Sequence, residues 1–165
     1  MTTAPTASGT SPTTRPLTPA DVLRVLGSVR DPEIPVVSIV DLGIVERIEV
    51  TPEGRIEVEL LPTFVGCPAL EVIRASVEDA LAPLGRAASV AFTWRVPWTS
   101  DRITETGRTQ LASVGFAPPA DPADVRCPYC DSERVVMDSA FGPTQCRSLF
   151  YCRSCRQPFE AFKPV

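Results

Sequence analysis

Histidine is absent from the 165-residue chain, and lysine occurs once, at Lys163. Without imidazole there is no Ser-His-Asp triad, no Cys-His dyad and no haem held through histidine. Di-iron sites of the Glu-x-x-His type and histidine-bearing zinc sites are excluded as well. Any metal must be held by cysteine, carboxylate or backbone oxygen. Basic residues are in the minority, 16 against 20 acidic ones, for a net charge of −4. A general nucleic-acid binder presents a strongly basic face, so this balance argues against nucleic acid as a partner. No stretch approaches the roughly 20 apolar residues of a membrane span. Residues 1–16 also lack the apolar run of a signal peptide. The expectation is a cytoplasmic protein with no membrane partner, whose thiols are reduced and available for metal.

What is plentiful is proline, at 18 residues, and cysteine, at six. Apart from Met1, residues 1–16 consist of Thr, Pro, Ser, Ala and Gly with one charge, Arg15. They cannot bury a core and are expected to be a disordered, dispensable tail. Order is expected from Leu17. Thr18 is a good N-cap, Pro19 suits the first helical position, and Asp21 stands where a capping-box carboxylate reaches back. Val22, Val25, Leu26 and Val29 follow at helical spacing, and the helix must end before Pro32. The segment Asp31–Val45 holds two prolines three residues apart and is not helical. Its carboxylates Asp31, Glu33 and Asp41 are either turn formers or functional oxygens.

Period-two alternation predicts a hairpin. Ile44, Ile48 and Val50 face inward on its first strand, and Ile56, Val58 and Leu60 on its second, around Thr51-Pro52-Glu53-Gly54. A second helix packs Leu70, Ile73, Val77 and Leu81. With Pro68 at its first position, Cys67 is expected at the N-cap, where the helix dipole favours thiolate. The other reading of Cys67 is a small structural residue. A third strand alternates through Val90, Phe92, Trp94 and Val96. A third helix, capped by Asp101, packs Ile103, Leu111 and Val114 and ends at Gly115. The result is an α+β body of order α-β-β-α-β-α over residues 17–116. A proline-rich linker, 117–126, leads to a module at 127–165.

That module holds two CxxC pairs, Cys127/Cys130 and Cys152/Cys155, with 21 residues between the pairs. This spacing matches a four-thiolate zinc ribbon, and a module so small needs the metal to fold. Cys146 opens an alternative. With Cys152 and Cys155 it gives C-x5-C-x2-C, close to a plant-type ferredoxin spacing, and hence a two-iron cluster. Under the zinc reading Cys146 is unnecessary for the metal and is a small buried residue or a spare thiol.

The runs DPEIPVVSIVDLGIV, PTFVGCPAL and VPWTSDRITETGR resemble the domain shared by cytosolic iron–sulfur assembly factors and SufT-like proteins. Together with the ending FGPTQCRSLFYCRSCRQPFEAFKP, they resemble the PaaD (PaaJ) family, the D subunits of phenylacetyl-CoA epoxidase systems. The resemblance implies an accessory role in aerobic phenylacetate catabolism, assisting assembly of an iron or iron–sulfur centre rather than catalysing oxygenation. It implies the other epoxidase subunits, including the reductase, as partners. Cys67 matches the family's reactive-thiol position, and Asp31, Glu33 and Asp41 match its N-terminal acidic motif; together they are the expected transient iron or sulfur site. The two CxxC pairs match its zinc-binding end. The chain is not expected to be catalytic alone, since it lacks both a di-iron histidine set and a nucleotide-binding fold. The alternative is an electron-transfer subunit with its own cluster on the C-terminal cysteines.

Overall fold

The structure is a computed structural model that describes residues 15–64 and 66–163. Residues 1–14 of the expected tail lie outside the described residues. Helix α1 (Pro19–Leu26) opens with the full capping box. The Asp21 carboxylate accepts from the Thr18 N–H at 3.0 Å and from its hydroxyl at 2.6 Å, and the Asp21 N–H donates back to that hydroxyl. The Thr18 hydroxyl, then Arg24 and Arg15, hold the Asp21 carboxyl well below the usual carboxylate range.

The helix stops earlier than its periodicity suggests. Gly27 caps it, and Ser28 and Val29 donate three residues back, to Val25 and Leu26. Val29 therefore lies beyond the helix, although it is buried. The chain then folds into a compact loop. Arg30 bridges Ser38, and the Ile39 N–H returns to the Val29 carbonyl, so that Val37, Ile39, Leu42 and Ile44 drop into the core.

Strands β1 (Val45–Val50) and β2 (Ile56–Leu60) form the hairpin, closed by a Gly54 N–H to Thr51 carbonyl bond of 2.8 Å. Ile56, Val58 and Leu60 are buried and alternate with Glu57 and Glu59. Helix α2 (Leu70–Leu81) lays Ile73, Val77 and Leu81 onto the core. Strand β3 (Ala88–Phe92) then pairs parallel to β2, giving the order β1-β2-β3.

β3 is shorter than the alternation through Val96 implies. The Thr93 N–H to Leu60 carbonyl bond is its last, because β2 runs out into Pro62. Trp94 and Val96 are consequently exposed. The third helix also starts later than expected. Residues Ser100–Arg102 form a 3₁₀ turn, and α3 (Glu105–Ser113) is capped by Thr104, whose hydroxyl accepts from the Gly107 N–H at 3.0 Å. Asp101 is thus not the cap. Leu111 and Ile103 pack inward, whereas Val114, at the C-cap, is exposed.

The second sheet runs in the order β4-β7-β6-β5, from β4 (Phe116–Ala117), β5 (Val135–Ser139), β6 (Arg147–Cys152) and β7 (Pro158–Phe162). The segment expected as a linker contributes Ala117 to this sheet and buries Val125. The ribbon's own apolar cluster is small: Ala117, Val125, Cys127, Phe150, Cys152, Phe159 and Ala161. Phe116, Cys146 and Phe162 instead join the larger core of the body. Phe162 lies 5.7 Å from the Trp98 ring, and the Trp98 indole donates to the Leu42 carbonyl at 2.8 Å. Arg147 ties the junction further. It donates to the Glu33 carbonyl at 2.8 Å and to Glu160 at 2.9 Å, with its guanidinium 5.2 Å from the Phe116 ring centre. No helix among the described residues is long and apolar enough to cross a membrane.

Candidate functional site

The two CxxC pairs build matching knuckles. In the first, the Asp131 N–H returns to the Cys127 carbonyl at 2.8 Å and the Cys127 N–H reaches the Ser132 carbonyl. In the second, the Arg156 N–H returns to the Cys152 carbonyl at 2.9 Å and the Cys152 N–H reaches the Gln157 carbonyl. The residue after each second cysteine, Asp131 or Arg156, takes a left-handed backbone, at φ 55° and 61°. Backbone N–H groups of Tyr129 and Cys130 point at the Cys127 sulfur, and those of Cys155 and Ser154 at the Cys152 sulfur. These donors favour the thiolate form. The Cys155 N–H chiefly holds the Cys152 thiol low, whereas burial pushes the Cys127 thiol up.

The ligand atoms of Cys127, Cys130, Cys152 and Cys155 all lie within 4.8 Å of one another. The sulfurs of Cys127 and Cys155 are 3.6 Å apart, and those of Cys130 and Cys152 are 3.7 Å apart. A tetrahedral ion with metal–sulfur bonds of about 2.3 Å requires edges of about 3.8 Å, so the donor set fits a single zinc. Among the described residues this is the one group of three or more metal-capable side chains so close together. Cys146 is not part of it, and the ferredoxin-like grouping of Cys146 with Cys152 and Cys155 is not formed.

Cys146 instead shares a cavity with Cys67. Both thiols line a cavity of about 270 Å³ between the body and the ribbon, together with Glu33, Phe64 and Phe141. Asp31 joins Glu33 and both thiols around a smaller void behind it. Three of the four residues expected to form the transient site, Cys67, Glu33 and Asp31, are thus brought together, and sequence reasoning missed another thiol there, Cys146. The available signal was arithmetic: two complete knuckles leave two thiols of six unassigned.

Asp41 does not belong to this group. Its carboxylate accepts from Ser38 at 2.6 Å and from the Thr104 hydroxyl at 2.9 Å, and its carbonyl accepts the Thr104 N–H. It fastens the 31–44 loop to the start of α3. Asp31 has a turn-forming role too, since its Oδ1 accepts from the Glu33 and Ile34 N–H groups at 2.8 and 2.9 Å. Burial nonetheless raises its pKa.

Cys67 is not the N-cap of α2. Ala69 is, and it already has helical backbone angles. Pro68 offers no N–H, so the chain enters the helix through one looser turn, with the Leu70 N–H 3.4 Å from the Cys67 carbonyl. The thiol is correspondingly not biased toward thiolate. Burial raises its pKa, with Glu33, Cys146 and Asp31 adding to the effect against one N–H from Ala69. Gly66, at φ 79°, leaves open space beside it, with nothing within 4 Å of where a side chain would begin.

Residues 19–92 match the family described as iron–sulfur cluster assembly protein, and residues 113–163 match the PaaD zinc beta ribbon domain. An Escherichia coli (strain K12) protein, provisionally named as the D subunit of 1,2-phenylacetyl-CoA epoxidase, is 36% identical over 153 residues. The match spans 88% of this chain and 92% of that protein. The Fe-S protein maturation auxiliary factor SufT of Staphylococcus aureus (strain USA300) is 34% identical over 85 residues, 50% of this chain and 96% of that one. The crystal structure of a domain of unknown function, DUF59, from Bacillus anthracis superposes with a TM-score of 0.53 at 25% identity. It covers 56% of this chain and 90% of its own.

Proposed function

The chain belongs to the PaaD family, with an iron–sulfur assembly domain and a four-cysteine zinc ribbon, and on that premise we propose that it is a cytoplasmic maturation subunit of a phenylacetyl-CoA epoxidase system. It assists the assembly or insertion of the iron or iron–sulfur centre of that system and engages the other epoxidase subunits, including the reductase. The ribbon cysteines hold a structural zinc. With four thiolates the ion has no open position, so it supplies folding energy rather than chemistry.

One observation carries the reading: Cys67 and Glu33 line a cavity at the junction of an assembly-type body and its ribbon, and Asp31 meets both of them at the smaller void beside it. Thiol and carboxylate are the donors that iron accepts. Iron or sulfur is cargo here, held in passing at Cys67, and the ribbon fixes the second wall. The test is complementation of a strain lacking this gene. Cys67→Ala should fold and keep its zinc, yet the epoxidase purified from that strain should contain less iron and growth on phenylacetate should slow. Normal iron content and normal growth would reduce Cys67 to a packing residue.

A further inference from the structure

Cys146 belongs to the ribbon by sequence but packs with the body, and the loop that delivers it is tightly held. The Gly142 N–H donates to the Arg147 carbonyl at 3.0 Å, and the Arg147 N–H to the Thr144 carbonyl at 3.1 Å. A side chain at Gly142 would begin 2.8 Å from the Arg147 Cβ, so only glycine permits this approach. Just past the end of β7, the Lys163 N–H donates to the Cys146 carbonyl and its Nζ to the Gln145 carbonyl, both at 2.9 Å. The Thr144 hydroxyl stands 3.1 Å from the Cys146 sulfur.

Facing this clamped thiol is a carboxylate with little to hold it. Among the described residues the nearest partners of the Glu33 Oε2 are the Cys146 sulfur and an Arg147 nitrogen, each at 4.0 Å. Completed knuckles leave Cys146 with no task in the ribbon's metal centre, and the Glu33 carboxylate beside it has no close polar partner among the described residues. Two thiols and one loosely held carboxylate on a common cavity form a donor set for a borderline metal; magnesium and calcium prefer oxygen alone.

We propose that Cys67, Cys146 and Glu33 together form an acceptor site for a divalent first-row transition metal, with the ribbon supplying its second thiolate. This deepens the proposed function and rests on it, because ferrous iron is then the cargo. The ion displaces one proton from each thiol to solvent. Two metal–sulfur bonds and one metal–oxygen bond form, with no change in oxidation state. The donors stand further apart than those of the knuckles, and rotation of the Glu33 and Cys67 side chains draws them onto the ion. A fourth position faces the cavity, through which a partner's ligand can take the metal away. The ribbon is then half of the cargo site, and losing its zinc dismantles that site even with Cys67 intact.

The test uses the zinc-loaded full chain, kept anaerobic and titrated with cobalt(II) chloride while the near-ultraviolet sulfur-to-cobalt charge-transfer band is followed. The expected result is one cobalt beyond the retained zinc, with the band intensity of two thiolates. Cys146→Ser and Cys67→Ser should each roughly halve the band and weaken binding by at least about tenfold, with zinc content and circular dichroism unchanged. Glu33→Gln should keep the band shape and bind more weakly, which tests the site even where a cysteine variant folds poorly. Should Cys146→Ser titrate like the unmodified chain while Cys67→Ser loses the band, the two-thiol site is overturned and the proposed function stands. Failure of the unmodified chain to take a second metal overturns the site, and the Cys67→Ala strain then judges the proposed function separately.

Discussion

Where the body buries Val22, Leu26, Ile39, Leu42, Ile56, Leu60 and Leu81 to 1% exposure or less, the ribbon's own cluster has only Phe150 and Phe159 as large side chains. Each fully buried aliphatic side chain contributes about 1.5–3 kcal/mol, so the body can offset the entropy of ordering its chain. The ribbon cannot, with two stacked rings 5.6 Å apart and a few small residues. It also holds Asp131 and Arg156 in left-handed backbone, which costs roughly 1–2 kcal/mol each without glycine. The two regions therefore depend on different terms, apolar burial in one and metal–thiolate bonds in the other, and meet at a junction that uses both kinds of residue.

Metal removal breaks this comparison most strongly. Zinc binding to small zinc domains amounts to about 10–16 kcal/mol, and all of it is folding energy. Chelation, or Cys127→Ser, should abolish amide-exchange protection across β5–β7 while leaving β1–β3 and α2 protected. Simultaneous loss in both regions would mean that the body depends on the ribbon, contrary to the difference in their cores.

Arg147→Met, at the junction, should have the next largest effect. It removes one bond to the Glu33 carbonyl and one to Glu160, although Nε is already buried without a partner. Charge-assisted bonds contribute about 1.5–3 kcal/mol each, and the unsatisfied Nε offsets part of that, so a net loss of about 2 kcal/mol is expected. Zinc should be retained, while Cys146, buried in the unmodified chain, should become alkylatable by a small maleimide. Unchanged protection of Cys146 would assign the junction to Trp98, Phe116 and Phe162 instead.

The same contrast explains what the sequence made legible. The knuckles were readable because ligand spacing is a local property, and the first helix and the hairpin because capping and alternation are local too. Trp94 and Val96 misled because alternation cannot show where a partner strand ends, here at Pro62. Pro68 misled in a related way. A proline permits the first helical turn but does not require it, so Cys67 fell one loose turn ahead of the helix. The six cysteines could show that two thiols were left over, but not that Cys67 and Cys146 line one cavity, which depends on 78 intervening residues folding back on one another. Asp41 was misplaced for the converse reason: it lies close to Asp31 in sequence, but Thr104 claims its carboxylate.

The smallest expected effect separates the two regions by pH. Asp31 accepts two backbone N–H bonds that favour its charged form, yet burial outweighs them and raises its pKa above the ordinary carboxylate value. A carboxyl whose folded pKa exceeds its unfolded one gives its stabilisation in full below the unfolded value, and loses it as pH rises through the folded value. At neutral pH the body therefore carries the cost of a largely desolvated charge. Asp31→Asn keeps an Oδ1 acceptor for the Glu33 and Ile34 amides and removes that charge. It should stabilise the body at pH 7. The gain should shrink as pH falls toward the ordinary carboxylate value, where the native aspartate is itself neutral. The ribbon responds in the opposite sense, because protons compete with zinc for its thiolates and acid weakens it. Denaturant unfolding followed through the buried Trp98 indole, at several pH values with zinc present, measures the gain. A gain independent of pH would show that Asp31 acts through its turn alone, and a loss at pH 7 would show that its charge, drawn toward Arg147, is worth more than its burial costs.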